Sequence, residues 1–251
     1  MEQSDQWYRR GDVTIAYIEF GNRPERTFVL VHGIGMGRTV FTGVAEILAA
    51  EGRVLTLDLP GFGDSPEPGS AFTIAQTAEV LAEFVTEQSS GNTTLVGHSM
   101  GTQIVAEIAC HHPALLDSLV LIAPTVNRHE RTASQQVARM LQDLTGESLK
   151  VMLTGLWQYL KTNPFWFVRK LRLMLNHRLE ELCPDIATPT LLLRGETDRV
   201  CPRGWVAEIT VLFPDATMKE IAGRGHEAII NSPEPVASMI RDFVVDTAGS
   251  Y

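Results

Sequence analysis

Short apolar runs alternate along most of this chain with longer stretches in which apolar residues recur every three or four positions. The run over 119–123 is apolar throughout, which is typical of a parallel strand covered on both faces of a sheet. The pattern predicts an opening hairpin over 7–20, strands over 27–31, 53–58, 93–96, 118–123, 190–194 and 216–221, helices over 40–50 and 74–88, and another helix that ends near residue 110. Strands that alternate with helices indicate an α/β fold with a doubly wound, mostly parallel sheet.

The alternation stops after Pro124. Residues 127–182 contain no strand-like run and instead carry three helical patterns, at about 133–144, 148–161 and 164–180. We therefore predict two parts, a core domain over residues 1–126 and 183–251 and a helical insert over 127–182. Nothing in the chain approaches a continuous apolar membrane span, and no internal repeat is visible.

One junction between a strand and a helix carries a motif of catalytic interest. The strand over 93–96 leads directly into Gly97-His98-Ser99-Met100-Gly101, and a helical pattern follows. In this context the serine lies on a sharp turn, since the glycines on either side let the backbone bend. The N–H groups at the start of the following helix point at negative charge that forms beside the serine. We therefore predict that Ser99 is a nucleophile.

A nucleophilic serine needs a base, and the base needs a carboxylate that fixes its tautomer. Of the seven histidines, His226 is the candidate base, because it lies on a glycine-rich loop that follows a predicted strand. The loop after the strand over 190–194 carries two acids, Glu196 and Asp198. We prefer Asp198 as the partner of the base.

The chain order of Ser99, Asp198 and His226 resembles the α/β-hydrolase fold family, in which the triad follows this order. Two further stretches support the resemblance: the strand and His-Gly loop over 28–37, and the Asp-x-Pro-Gly-x-Gly-x-Ser sequence over 58–65. The resemblance covers nearly the whole chain. It implies that the insert is a helical cap over the active site.

The resemblance also implies where negative charge is stabilised during acyl transfer. The backbone N–H groups of Ile34 and Met100 are the expected oxyanion hole. His32 is expected to brace the loop that carries Ile34 through hydrogen bonds. One departure from the family pattern is Thr102, where many relatives have a further glycine. A threonine there crowds the helix slightly, and we expect it not to touch the triad.

A serine at this turn favours a hydrolase that cleaves a carboxylic ester, thioester or lactone through an acyl-enzyme. It argues against the dehalogenase and epoxide-hydrolase branches of the family, which place an aspartate there. Two alternatives stay open: a carbon–carbon bond hydrolase or lyase that uses the same triad, and a ligand receptor that retains the triad but signals through a partner. Rapid turnover of an activated ester favours an enzyme, whereas one slow turnover favours a receptor.

The cap region differs from the core in its charge. Residues 127–182 contain nine basic and five acidic residues, a net charge of +4 that leaves −13 on the remainder. Solvated helix faces on a lid are the simplest interpretation, with attraction of an acidic substrate and contact with a lipid surface as alternatives.

Large apolar side chains of the cap are candidates to enclose the substrate. These candidates are Met140, Trp157, Trp166, Phe167 and Met174. A stripe at helical spacing is expected to pack on the core, with most of the basic residues of this stretch lying off it. Its members are Phe165, Val168, Leu171, Leu175 and Leu179. We expect a small-to-medium, largely apolar substrate.

Composition limits the partners and the compartment. The net charge of −9 argues against nucleic acid as a partner. An odd number of cysteines, without the spacing of a disulfide framework, suits a reducing compartment. With an acidic and polar start that resembles no signal peptide, this predicts a cytoplasmic protein. We see no metal-ligand spacing and no phosphate-binding loop, and therefore predict no metal and no cofactor.

Overall fold

The computed structural model describes residues 4–144 and 163–248. In these parts of the chain eight strands form one sheet in the order β1-β2-β4-β3-β5-β6-β7-β8. The strands are β1 (Gln6–Arg10), β2 (Val13–Phe20), β3 (Arg26–Val31), β4 (Arg53–Leu57), β5 (Asn92–His98), β6 (Ser118–Ile122), β7 (Thr190–Gly195) and β8 (Ala216–Ile221). The strand β2 pairs antiparallel with β1 and with β4, and all the other neighbours in the sheet are parallel.

Helices cover both faces of this sheet. The α-helices of the described residues are, in chain order, α1 (Thr42–Leu48), α2 (Ile74–Gln88), α3 (Met100–His111), α4 (Ala133–Leu144), α5 (Pro164–Asn176), α6 (Leu179–Leu182), α7 (Arg203–Thr210), α8 (Ala228–Asn231) and α9 (Pro233–Ala248). The predicted doubly wound, mostly parallel α/β fold is therefore confirmed.

The two faces of the sheet belong to two separate apolar clusters. In β3, Val29 and Val31 belong to the cluster that includes α2 and α3, whereas Phe28 and Leu30 belong to the cluster that includes α1 and α9. Successive side chains of a strand point to opposite faces, so a strand covered on both sides must be apolar at every position. This explains the uninterrupted apolar runs in the sequence.

Helix α2 begins and ends where the sequence predicts. The hydroxyl of Thr73 accepts the N–H of Gln76, and the Gln76 side chain accepts the N–H of Thr73. This reciprocal pair satisfies two backbone donors that the first helical turn leaves without partners.

Residues 127–182, called the cap segment below, contain α4, α5 and α6 within the described residues. The helix predicted over 148–161 lies outside the described residues. The helix predicted over 164–180 is wrong in its last part, because α5 ends at Asn176. There the guanidinium of Arg131 donates to the carbonyl oxygens of Leu175 (3.2 Å) and His177 (2.7 Å) and so satisfies acceptors at the helix end. The division into core and cap stays a prediction.

The face of α5 that packs on the core also differs from the predicted one. Phe165 is 88% exposed and Val168 is 49% exposed, so the first half of the predicted stripe faces outward. The second half of the stripe is confirmed, because Leu175 and Leu179 are buried and Leu171 packs against the same cluster. The other buried residues of α5 are Trp166, Lys170 and Met174, which recur at intervals of four. Lys170 makes this face possible because its aliphatic stem is buried while its ammonium donates to a core carbonyl, as described below.

Two expectations drawn from the sequence concern unpaired cysteines and the lack of a membrane span. All three cysteines have free thiols. Burial raises the pKa of the Cys183 and Cys201 thiols to about 12, so both behave as small neutral core side chains. Within residues 4–144 and 163–248, no helix has the length and apolar character needed to cross a membrane.

Candidate active site

Ser99 occupies a strained turn between β5 and α3. Its φ is +52° and its ψ is −118°, a conformation that is costly for a residue with a Cβ atom. The turn needs glycines on both sides because a side chain at either position would not fit. A Cβ on Gly97 would lie 2.5 Å from the carbonyl oxygen of Gly101, and a Cβ on Gly101 would lie 2.2 Å from the carbonyl oxygen of Val31.

Hydrogen bonds hold the backbone of Ser99 on both sides. Its N–H donates to the carbonyl oxygen of Ile122 at the end of β6 (2.9 Å). Its own carbonyl accepts the N–H of Thr102 (3.0 Å) and the Thr102 hydroxyl (2.6 Å). The expectation that Thr102 would not touch the triad is therefore wrong. The hydroxyl gives the strained turn an additional hydrogen bond that a glycine could not supply.

His226 and Asp198 form a buried acid–base pair. Nδ1 of His226 lies 3.0 Å from Oδ2 of Asp198, and Oδ1 of Asp198 accepts the N–H groups of Val200 and Cys201, each at 2.8 Å. Because the carboxylate can only accept, Nδ1 carries the proton and the lone pair of neutral His226 lies on Nε2. Nε2 is buried and has no hydrogen-bond partner among the described residues.

The other acid of this loop points elsewhere. Oε2 of Glu196 accepts the N–H of Gly223 (2.8 Å). Glu196 thus ties the loop after β7 to the loop after β8, while Asp198 is the carboxylate in contact with the ring of His226.

Burial and charge act in opposite directions on this pair. Burial alone lowers the pKa of His226, but the adjacent Asp198 carboxylate outweighs this effect and raises the pKa well above its ordinary value. Burial alone would raise the pKa of Asp198, yet the interaction with His226 and the N–H of Cys201 lowers it. The arrangement stabilises an imidazolium next to an ionised carboxylate.

His98 connects the Ser99 turn to the loop of His226. Nε2 of His98 donates to the carbonyl oxygen of His226 (3.1 Å), and the centres of the two rings are 5.2 Å apart. Burial, together with the charge of His226, lowers the pKa of His98 to about 3. His98 therefore stays neutral and can donate to this carbonyl at any ordinary pH.

The loop after β3 runs directly against the Ser99 turn. A Cβ on Gly33 would lie 2.9 Å from Cβ of Ser99. His32 braces this loop, since its Nδ1 lies 2.7 Å from the carbonyl oxygen of Gly33 and its Nε2 accepts the N–H of Leu59 (2.9 Å). The backbone N–H groups of Ile34 and Met100 have no acceptor among the described residues.

A family model described as the alpha/beta hydrolase family matches residues 28–239, which include this whole arrangement. The chain belongs to the alpha/beta hydrolase family. The predicted resemblance is thus confirmed, and the protein is a hydrolase.

Two curated relatives and one solved structure illustrate what this alpha/beta hydrolase is similar to. It is 26% identical over 260 residues to a pimeloyl-(acyl-carrier protein) methyl ester esterase of Aeromonas hydrophila, with 92% of this chain and 100% of that protein covered. It is 24% identical over 267 residues to a 2-hydroxy-6-oxo-6-(2'-aminophenyl)hexa-2,4-dienoic acid hydrolase of Metapseudomonas resinovorans, with coverage of 96% and 90%. A crystal structure of a membrane phospholipase A superimposes with a TM-score of 0.85 at 24% identity, covering 99% of this chain and 87% of that one, and shares the fold.

A buried arginine fixes the loop that carries Asp198 in this hydrolase. Arg194, 3% exposed at the end of β7, donates from Nη2 to the carbonyl of Asp198 and from Nε to that of Cys201, both at 3.0 Å. Glu220 on β8 pairs with the same guanidinium. Our sequence reasoning missed Arg194, although a charged residue at the end of an otherwise apolar strand is a usable signal.

The loop after β4 depends on a second buried arginine. Arg38 pairs with Asp58 and also with Asp64 (2.9 Å). Asp58 in addition accepts the backbone N–H of Asp64 (2.9 Å). These contacts fix the turn at Gly61, whose φ is +82°.

Trp166 of the cap segment lies directly on this turn. A Cβ on Gly61 would lie 2.3 Å from the indole, so only glycine lets the ring approach this closely. Nζ of Lys170 lies 5.5 Å from the centre of the Trp166 ring and donates to the carbonyl of Phe72 (3.0 Å). Burial lowers the pKa of Lys170 to about 8.

The remaining candidates for enclosing the substrate differ in their burial. Met174 is buried in the cluster with α2 and α3, and Phe167 is partly buried against the same cluster. Met140 on α4 is partly buried. Trp157 lies outside the described residues. A role in substrate binding stays a prediction for all of them.

One group of side chains has the composition of a metal site. Ligand atoms of Asp198, Cys201 and His226 lie within 4.8 Å of one another. The thiol of Cys201 donates to the carbonyl of Pro124 (3.0 Å), and the other two residues bond to each other. Each of the three groups therefore has a hydrogen-bond partner within the protein.

Proposed function

We propose that this hydrolase cleaves carboxylic esters, or the related thioesters and lactones, of small-to-medium and largely apolar substrates through an acyl-enzyme. The observation that carries the proposal is the hydrogen bond between Asp198 and His226. These two residues follow β7 and β8 at the carboxyl edge of the sheet, and the strained turn of Ser99 follows β5 at the same edge. A nucleophile on a turn, a buried base and a carboxylate that orients the base are the elements of triad catalysis.

In the proposed mechanism, Nε2 of His226 takes the proton of the Ser99 hydroxyl as Oγ bonds to the acyl carbon. The carbonyl oxygen gains the negative charge, and the N–H groups of Ile34 and Met100 stabilise it. The bond to the alcohol oxygen then breaks, and the His226 imidazolium protonates the leaving alcohol. Water next attacks the acyl carbon, giving one proton to His226, and the acid departs as Ser99 regains its hydrogen.

The charges of the cap segment favour the interpretation as a solvated lid. Arg131 pairs with Glu180 and Arg139 pairs with Glu130 within the segment. Arg128 pairs with Glu208 of α7, on the core side. Guanidinium groups that already have carboxylate partners are poor attractants for an acidic substrate, so we propose an apolar one.

The name of the Aeromonas relative refers to a methyl ester esterase, which supports ester cleavage. The name of the Metapseudomonas relative refers to a hexadienoic acid hydrolase and supports the second candidate, carbon–carbon bond hydrolysis. In that reaction water is added across the bond between a ketone carbon and its neighbour, which gives an acid and a protonated carbon fragment. Both reactions need the same three side chains.

The test compares purified wild type with Ser99→Ala on three probes: a p-nitrophenyl ester, an aryl thioester and a 6-aryl-2-hydroxy-6-oxohexa-2,4-dienoic acid. We expect multiple turnovers on the oxygen or sulfur ester and none with Ser99→Ala. A higher kcat/KM for the dienoic acid would favour the second candidate. A single turnover that then stops would favour a receptor, and equal rates for both proteins would overturn the proposal.

A further inference from the structure

Asp143 joins the cap segment to both loops of the proposed acid–base pair. It lies near the end of α4 and is 6% exposed. Its Oδ1 accepts the backbone N–H of Arg199, and its Oδ2 accepts the backbone N–H of His226, each at 2.9 Å.

The two donors lie on the two loops that set the geometry of the Asp198–His226 pair. Arg199 directly follows Asp198 on the loop after β7, and His226 lies on the loop after β8. Each carboxylate oxygen takes one N–H, so the side chain spans the two loops. Hydrogen bonds from N–H groups to a carboxylate are shorter and stronger than those between neutral groups. The loss of one of these donors would leave a buried carboxylate oxygen without a hydrogen bond, which costs free energy. This cost favours the arrangement in which both N–H groups are bonded.

His226 is thereby held at three points. Asp143 accepts its N–H, His98 donates to its carbonyl, and Asp198 holds its Nδ1. The first of these contacts comes from the cap segment, whereas the other two come from the last residue of β5 and from the loop after β7. The position of the base therefore depends in part on α4.

We propose that Asp143 is a positioning residue, which fixes the loops of Asp198 and His226 relative to each other. The alignment of the triad thereby depends on the docking of α4. The inference rests on the proposed function, because it assigns Asp143 a role only if His226 acts as the base.

Other contacts dock the cap segment without touching these two loops. Lys170 donates to the carbonyl of Phe72, and the side chain of Gln103 on α3 donates to the carbonyl of Met174 (3.0 Å). A third contact lies within the cap segment and also leaves these loops untouched: Arg139 of α4 donates to the carboxylate of Glu130 (3.0 Å). Removing Asp143 should therefore disturb the alignment of the triad more than the docking of the cap.

The experiment compares wild type with Asp143→Ala, Asp143→Asn and Arg139→Ala. Asp143→Ala removes both acceptors, Asp143→Asn keeps one oxygen acceptor, and Arg139→Ala breaks a contact of the same helix that does not reach the triad. The measurements are kcat and KM for p-nitrophenyl butyrate, the rate at which a fluorophosphonate labels Ser99, and Tm.

A misaligned base impairs proton transfer but not ground-state binding of the substrate. We expect Asp143→Ala to lower kcat and the labelling rate by about 10- to 100-fold with KM within about twofold of wild type. Asp143→Asn should lose less, and Arg139→Ala should keep the wild-type kcat. If Asp143→Ala fails to fold, a fall in kcat of about threefold or more in Asp143→Asn at unchanged KM supports the inference.

Three results would overturn the inference. The first is a wild-type kcat in both Asp143 variants, or in Asp143→Asn alone when the alanine variant does not fold. The second is a loss in Arg139→Ala that matches that of Asp143→Ala, since any damage to α4 would then suffice. The third is a wild type that neither hydrolyses the ester nor labels at Ser99. Only this third result also removes the proposed function, so the two failures are distinguishable.

Discussion

Nδ1 of His226 lies 3.0 Å from Oδ2 of Asp198, whereas Glu196, on the same loop as Asp198, accepts the N–H of Gly223. Both acids belong to the loop after β7. Their different partners make them a matched pair of positions for testing which carboxylate serves the base.

Replacing the members of the proposed triad should abolish most hydrolysis without unfolding the protein. We expect Ser99→Ala and His226→Ala to lower kcat by about 10⁵- to 10⁶-fold, and Asp198→Asn by about 10⁴-fold, because the three groups act as one unit. Glu196→Gln is the control and should retain nearly all activity. A crippled Glu196→Gln beside an active Asp198→Asn would reverse our assignment of the carboxylate, and a phosphonate label away from Ser99 would remove that of the nucleophile.

Activity should increase with pH through the titration of His226. The base must be neutral to take the proton of Ser99, so kcat/KM rises as the imidazolium deprotonates. Because the Asp198 carboxylate raises the pKa of His226, the midpoint should lie above the ordinary value of about 6.5. The measurement is kcat/KM for an activated ester between pH 5 and 9. A steady decline of kcat/KM between pH 5 and 8 would be incompatible with a histidine base.

Gly101 should be intolerant of the smallest side chain. A Cβ there would meet the backbone oxygen of Val31 at 2.2 Å, so Gly101→Ala should lower the free energy of unfolding by about 1–3 kcal/mol. Gly204 in α7 is the control, because no atom lies within 4 Å of its added Cβ. Gly204→Ala should raise the free energy of unfolding by about 0.5–1 kcal/mol through reduced entropy of the unfolded chain. Urea unfolding of both variants distinguishes the two signs, and a stable Gly101→Ala would show that β3 and α3 can separate at little cost.

The aromatic residues of the cap segment should control selectivity for acyl length. Trp166 is buried on Gly61, whereas its neighbour Phe165 is 88% exposed and serves as the control. Each buried methylene contributes about 1–3 kcal/mol to discrimination, so wild type should show a graded preference along a series of p-nitrophenyl esters. Trp166→Ala should shift or flatten that preference, Phe165→Ala should leave it unchanged, and Trp157→Ala tests the candidate outside the described residues. If neither tryptophan variant alters the profile, these side chains do not enclose the acyl group.

Chelators should leave hydrolysis unchanged. The proposed mechanism uses Ser99, His226 and Asp198 for every proton transfer and requires no Lewis acid. Assays after dialysis against EDTA and after addition of Zn²⁺ or Mg²⁺ provide the measurement. A loss of activity that only one metal restores would point to Asp198, Cys201 and His226, whose ligand atoms lie within 4.8 Å of one another.

Much of the fold and the main chemical groups follow from local sequence. The apolar runs specify buried strands because both faces of the sheet are covered, as the two clusters around β3 illustrate. The capping residues Thr73 and Gln76 lie at the predicted start of α2. The turn at Ser99 is likewise recognisable, since its glycines and its flanking strand and helix are adjacent in the chain. Properties that depend on neighbouring residues can be predicted in this way.

Only the tertiary structure decided which groups meet across large sequence separations. The sequence favoured Asp198 over Glu196, but the tertiary structure is what brings the Asp198 carboxylate to the ring of His226, and it brings Asp143 from the cap segment to the N–H of His226. It also turned α5 so that Lys170 faces the core and Phe165 faces outward, against the hydrophobic pattern. A charged side chain can occupy a buried position when its stem packs and its ammonium finds a carbonyl such as that of Phe72. Such partners lie tens of residues away, and no local periodicity specifies the distance to them.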